Sequence, residues 1–236
     1  MTKLVVFIAA FWVSVAYGQV SNPGGGSITG QFVGASSINM TFDVTSGANR
    51  RVVCFAANDG DIASISSYVI GTDSATVVNT ISVSSGLHNI EMWSAALTVT
   101  GSQVITPTWT GLVDGVGGCL LFTGAGTLGT SQTTTDNVTG LSVSVPSGGM
   151  AMDVGSDVNG ATGCAARTPQ SAGQTKVTDT CRDQGAGGSL EAFTSTRSTT
   201  GAFTWDSDTG AFTPQIAVPI NQAAAATVAR RRILNQ

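Results

Sequence analysis

Acid–base or nucleophilic chemistry in this sequence would have to be assembled from few residues: a single histidine, His88, two glutamates, Glu91 and Glu191, and aspartates set mostly among glycines. A Ser-His-Asp hydrolase would have to be built around SGLHN, since no Gly-x-Ser-x-Gly elbow exposes a serine elsewhere. Sandwich glycosidases use two carboxylates about 5 to 9 Å apart, commonly including glutamate. No Glu-x-Asp-x-x-Glu strand links the two glutamates here, and Glu91 alternates with Met92 and Trp93 as a surface strand residue would. Catalysis is therefore not expected, and His88 reads as a loop or strand-edge histidine.

Oxygen ligands suited to a hard cation occur at Asp59-Gly60-Asp61, at Asp153 with Asp157 and Asn159, and at Asp206-Ser207-Asp208-Thr209-Gly210. None completes a twelve-residue EF-hand loop, and aspartate also favours turns because it bonds its own backbone. Of the three, Asp206 and Asp208 are the candidate calcium ligands; no other cofactor is expected. Zinc would need tighter cysteine spacing and histidine partners. Trp93, Trp109 and Trp205 could stack on pyranose rings, which makes them the candidate ligand-binding residues for a glycan. Their alternative use is to fill a core with the indole N–H bonded at its edge.

Four cysteines allow three pairings. Cys164 and Cys181 flank a polar segment with the Gly and Pro of a surface loop, whereas Cys54 and Cys119 lie in the apolar runs RVVCFAA and GGCLLF. The pairs 54 with 119 and 164 with 181 are favoured; buried free thiols at 54 and 119 are the alternative. Disulfides imply an oxidising compartment, and the first residues point the same way. Lys3, the apolar run Leu4 to Ala16 and Ala16-Tyr17-Gly18 form a secretory signal pattern, with cleavage expected after Gly18. That run is shorter than the roughly 20 apolar residues of a membrane span.

The elements that must hold these side chains are strands. Runs rich in Val, Ile, Thr, Phe and Trp recur between Gly, Asp, Asn and Ser clusters throughout the chain. Ile38-Met40-Phe42-Val44 and Leu141-Val143-Val145 alternate apolar and polar positions, giving each strand one buried face. RVVCFAA and GGCLLF are apolar on both faces and belong in sheet centres. Asp59-Gly60, Asp114-Gly115 and Asn159-Gly160 mark expected reversals. Only QAAAATVARRRIL, Gln222 to Leu234, reads as a helix, with Arg230, Arg231 and Arg232 at the end where the dipole favours cations. Three units follow: a leader over 1–18, one antiparallel sandwich over 19–222, and a tail over 223–236. Lysine occurs only at Lys3 and Lys176 and the net charge is −4, so no basic field exists to attract nucleic acid. Asn39-Met40-Thr41 and Asn137-Val138-Thr139 match the N-glycosylation pattern.

SGANRRVVCFAA, SSYVIG, IEMWSAAL, ITPTWTG, GGCLLFTGA, LSVSVPSGGMAMDV and GAFTW, spread over about residues 30 to 220, resemble jelly-roll-like modules of bacterial secreted and phage structural proteins. Asn49-Arg50, Met92-Trp93, Trp109 and Trp205 occupy that pattern's places, while Val69-Ile70-Gly71-Thr72 departs from its usual Thr-Tyr-Gly-Gly. The resemblance implies an all-β antiparallel sandwich of jelly-roll type and carries no assigned chemistry. The expected function is a non-catalytic, secreted structural or adhesive module whose partners are other surface proteins. The alternatives are a lectin-like glycan binder and a virion surface or decoration protein.

Overall fold

The computed structural model describes residues 19–22, 28–59, 64–83, 88–135, 140–159, 166–183, 189–206 and 214–224. The expected leader, Cys164, Asp208 and residues 225–236, which hold most of the expected helix, lie outside them. The described residues form antiparallel β-sheets and contain no helix.

The first half of the chain builds one sheet: β1 (Ile28–Ser37), β2 (Met40–Val44), β3 (Arg51–Asp59), β4 (Ile65–Ile70), β5 (Asp73–Ser74), β6 (Thr76–Val83), β7 (His88–Ala96) and β8 (Gly101–Phe122). The second half builds another from β9 (Ala125–Leu128), β10 (Gln132–Thr134), β12 (Met150–Asn159), β13 (Thr175–Asp183), β14 (Ser189–Arg197) and β16 (Gln215–Gln222). A small ribbon of β11 (Leu141–Val143) and β15 (Gly201–Phe203) packs outside the second sheet, sharing a core of Leu141, Val143, Phe203, Ala151 and Ala217. The strand order is β5-β4-β8-β3-β7-β6 in one sheet and β10-β16-β12-β14-β13 in the other. This pairing does not show a jelly-roll order, because each sheet is made from one consecutive half of the chain.

β8 organises the first sheet. One of its edges pairs with β2 and then β1, the other with β4 and then β3. The expected turn at Asp114-Gly115 is not a reversal, and QVITPTW and GGCLLF belong to one 22-residue strand. Two contacts explain this. Asp114 accepts the Gly34 amide and pairs with Arg182 across to β13, which fixes it inside the ladder. Gly117 has no room for a side chain, since a Cβ there would lie 2.9 Å from the Phe55 carbonyl oxygen, so glycine here serves close strand approach.

The length of β8 lets the sheet curl over itself and bury both faces of β3. Val53, Phe55 and Ala57 point at the second sheet, in a core with Ile90, Met92, Leu120, Met152, Val154, Ile216 and Val218. Val52, Cys54 and Ala56 point the other way, into a core closed by Phe42, Tyr68, Ile70, Ile105 and Trp109 of the same sheet. RVVCFAA is thus a central strand between β8 and β7, as its apolar faces require. Cys54 and Cys119 face each other across β3 and β8 and form a disulfide with a Cα–Cα distance of 4.0 Å. Cys181 is also disulfide-bonded.

The ends of the described chain are strand-bound. The Val20 amide donates to the Gly148 carbonyl, and Ser21 bridges Thr123. Gln222, the expected first residue of a helix, is instead the last residue of β16, and the Ala223 amide donates to the Gly124 carbonyl.

Candidate functional site

Three of the acids able to do chemistry, Asp153, Asp157 and Glu191, collect on the outer face of the second sheet. β12 reads MAMDVGSDVN, and alternation sends Met152 and Val154 to the core between the sheets and Asp153 and Asp157 to the opposite face. β14 reads SLEAFTSTR, with Leu190 and Ala192 inward and Glu191, Phe193, Ser195 and Arg197 opposite. This second face would ordinarily meet water. Here residues 166–174 and Trp205 cover it, leaving Asp153, Asp157, Glu191 and Arg167 at 0%, 1%, 4% and 4% exposure.

Asp153 ties three strands together. One carboxylate oxygen accepts the Ser195 amide at 2.8 Å and the Ser195 hydroxyl; the other accepts Trp205 Nε1 at 2.7 Å and Gln215 Nε2 at 2.6 Å. Burial still pushes its pKa up to about 6, against the pull of those donors. Gly155 makes room for this layer, since a Cβ there would collide with the Phe193 ring. Trp205 packs on the same ring at 4.6 Å between centroids.

Arg167 holds the covering segment down. Its guanidinium pairs with Asp157, reaches Glu191 Oε2 at 3.2 Å, and lies 6.0 Å from the Phe193 centroid. Its amide donates to Asp179 Oδ2 at 2.8 Å, while Lys176 Nζ bridges the Arg167 carbonyl and Asp179, each at 2.7 Å. Burial raises the Glu191 pKa, Asp179 beside it raises it further, and Arg167 opposes both. Two acids near one another could exchange a proton, but these are turned onto the segment that covers them.

His88 and Glu91 differ from their expected settings. His88 is not at a wet edge: it is 3% exposed, with Nε2 2.7 Å from Ser156 Oγ. The Ser156 hydroxyl donates its proton to the Glu191 carbonyl at 2.6 Å, so the imidazole must be the donor to Ser156. That direction is opposite to a catalytic pair, in which the hydroxyl gives its proton to the imidazole. Burial lowers the His88 pKa to about 4. Glu91 is 3% exposed rather than on the surface, because the curl of the first sheet covers its face. It accepts the Ile65 amide at 2.8 Å and Trp93 Nε1 at 3.1 Å, and burial raises its pKa. Beside it a pocket of about 150 Å³ is lined by Ser64, Thr80, Ile81, Ser82, Asn89 and Glu91.

The expected ligand residues are dispersed. Trp109 and Trp205 are each 3% exposed and present no ring face to a sugar; Trp93 is half-buried at the floor of the curled sheet. Asp206 uses its carboxylate to accept the Thr168 amide at 2.7 Å, and its own amide donates back to the Thr168 carbonyl. Asp153 and Asp157 sit on a strand rather than a Gly-rich loop. Among the described residues no group of three or more His, Cys, Asp or Glu is arranged to hold a metal ion. The sequence reading passed over Arg167, which lies in AARTPQS with no periodic neighbour to mark it. The pairs Asp153/Asp157 and Glu191/Ser195 carried a signal, polar residues recurring at even spacing on strands whose other face is apolar. No family model, curated protein or solved structure matches the chain.

Proposed function

We propose that the chain is a non-catalytic structural or adhesive module exposed outside the cell. The observation that carries this reading is the use made of its ionisable side chains. Asp153, Asp157, Glu191 and Arg167, which would be the raw material of an active site, are bonded to one another and to the segment that buries them. His88 donates to a serine whose proton is already committed to the backbone. An oxidising setting is supported by the Cys54–Cys119 disulfide, and no helix among the described residues is long and apolar enough to cross a membrane.

A glycan-binding reading has one observation in its favour, the pocket that brings Ser64, Thr80, Ser82, Asn89 and Glu91 together, with Trp93 hydrogen-bonded to Glu91. A glycan array run with the purified protein, together with co-sedimentation against the cells or particles of its source, separates the two. Co-sedimentation without a glycan hit supports the structural or adhesive role. A glycan hit abolished by Asn89→Ala moves the function to that pocket, and hydrolysis of any arrayed substrate overturns the non-catalytic reading.

A further inference from the structure

The described cations fall into two groups. Arg167, Lys176 and Arg182 each pair with a carboxylate, and Arg197 is held by the carbonyls of Thr199, Ala202 and Ala172. Arg50 and Arg51 have no such ion pair among the described residues, and both border one pocket of about 560 Å³, together with Asn49, Gly126, Thr127 and Gln222. The chain turns just before the two arginines, with Asn49 in a left-handed backbone at φ 52° and the corner pinned where the Gly124 and Ala125 amides donate to the carbonyls of Ala48 and Asn49. Arg50 therefore lies just before β3 begins, and Arg51 opens it.

Their hydrogen-bonding capacity is only partly used. Arg51 gives Nε to the Gly126 carbonyl at 2.7 Å and Nη1 to Ser94 Oγ at 3.1 Å. Arg50 gives Nη2 to the Thr98 carbonyl at 3.3 Å, while its buried Nη1 has no hydrogen-bond partner among the described residues. A buried charged donor left unpaired is costly. The acid whose charge Arg50 feels, Asp73, has its oxygens engaged by Thr98 and Val99 and does not line the pocket. No carboxylate is among the described walls. In a chain of net charge −4, this is a pocket bordered by two guanidinium groups and by no carboxylate among its described walls.

We infer that the Arg50/Arg51 pocket binds an oxyanion group, carboxylate, sulfate or phosphate, carried on a small molecule. Guanidinium forks match such groups with paired, charge-assisted hydrogen bonds. The volume lies in the ~300–1,000 Å³ range of small-molecule pockets and exceeds what a bare ion fills. The anion sits in the pocket where Arg50 and Arg51 border it, and the attached group extends toward Thr127 and Gln222.

The test is an amide chemical-shift titration of the purified protein with sodium sulfate, phosphate or acetate, at an ionic strength held constant with chloride. Saturable shifts are expected at residues 49–51 and 125–127. The apparent Kd should weaken at least tenfold in Arg50→Gln, whose spectrum also reports whether the fold is intact, and less in Arg50→Lys. A response to sulfate and phosphate alone assigns a tetrahedral anion, and a response to acetate alone assigns a carboxylate. Shifts that never saturate, that spread over the whole surface, or that are unchanged in Arg50→Gln would overturn the site.

Discussion

Burial gives Asp153 and His88 opposite effects on stability over the same acid range. Asp153 has a folded pKa of about 6, above its ordinary 3.8, so between about pH 4 and pH 6 the folded state holds a proton that the unfolded chain releases. Its contribution is present at low pH and is lost as pH rises. His88 has a folded pKa of about 4, below its ordinary 6.5, so the folded state holds fewer protons and stability rises with pH from about 4 to 6.5. Each shift corresponds to about 3 kcal/mol at 1.36 kcal/mol per unit. Urea unfolding of wild type and His88→Gln across this range should show the gap moving by that order in favour of wild type as pH rises. For Asp153→Asn the gap should move the other way, with the variant's deficit shrinking. Gaps that stay constant with pH would contradict both assignments. Neither burial was readable from sequence, because nothing local to GLHNIEM or MAMDVGSD tells of the second layer that covers those faces.

At the scale of elements, period-two reading located the strands but not always their surroundings. RVVCFAA is central because both faces are apolar, and Met40-Phe42-Val44 lies on β2 with alternating burial. Glu91 was misplaced by the same rule, since alternation was taken to mean one wet face while a sheet that curls has a second dry one. Asp114-Gly115 was misread as a turn because Asp-Gly serves both a hairpin and a glycine-rich strand centre. These placements set an energetic order. Phe55 and Met92 are both fully buried, so Phe55→Ala should cost about 3 to 5 kcal/mol and Met92→Ala about 2 to 5 kcal/mol. Chemical denaturation checks this, and a cost under about 1 kcal/mol for either, the range of surface changes, would remove that residue from the shared core.

At the scale of the whole molecule, the described residues form two large sheets from the two halves of the chain, joined through a common core and through β13 against β1 and β8, where Gln31 Nε2 donates to the Cys181 carbonyl at 2.6 Å and Arg182 pairs with Asp114. The Cys54–Cys119 bridge lies wholly in the first sheet and spans 65 residues of sequence. Chain-entropy reasoning gives such a loop about 4 kcal/mol. Cys54→Ala/Cys119→Ala should lower the urea midpoint accordingly, and an unchanged midpoint would mean that the bridge adds nothing to a strand already held on both sides. Composition and patterning made the all-β class legible. The covered outer face was not, because it depends on a segment around Arg167 that meets Asp157 and Glu191 only in three dimensions.

That segment is where the central claim is most exposed. Residues kept for catalysis are often held at some cost to stability, so replacing them leaves a protein as stable or more so. Residues that tie a structure together have the opposite signature, and removing one partner of a buried ion pair costs about 3 to 5 kcal/mol. Equilibrium urea unfolding of Arg167→Ala against wild type at pH 7 decides between them. A loss of that size, with Asp157 and Glu191 left as buried unpaired acids, is the expected result; an unchanged or raised stability would contradict the structural reading and return the cluster to candidacy as an active site.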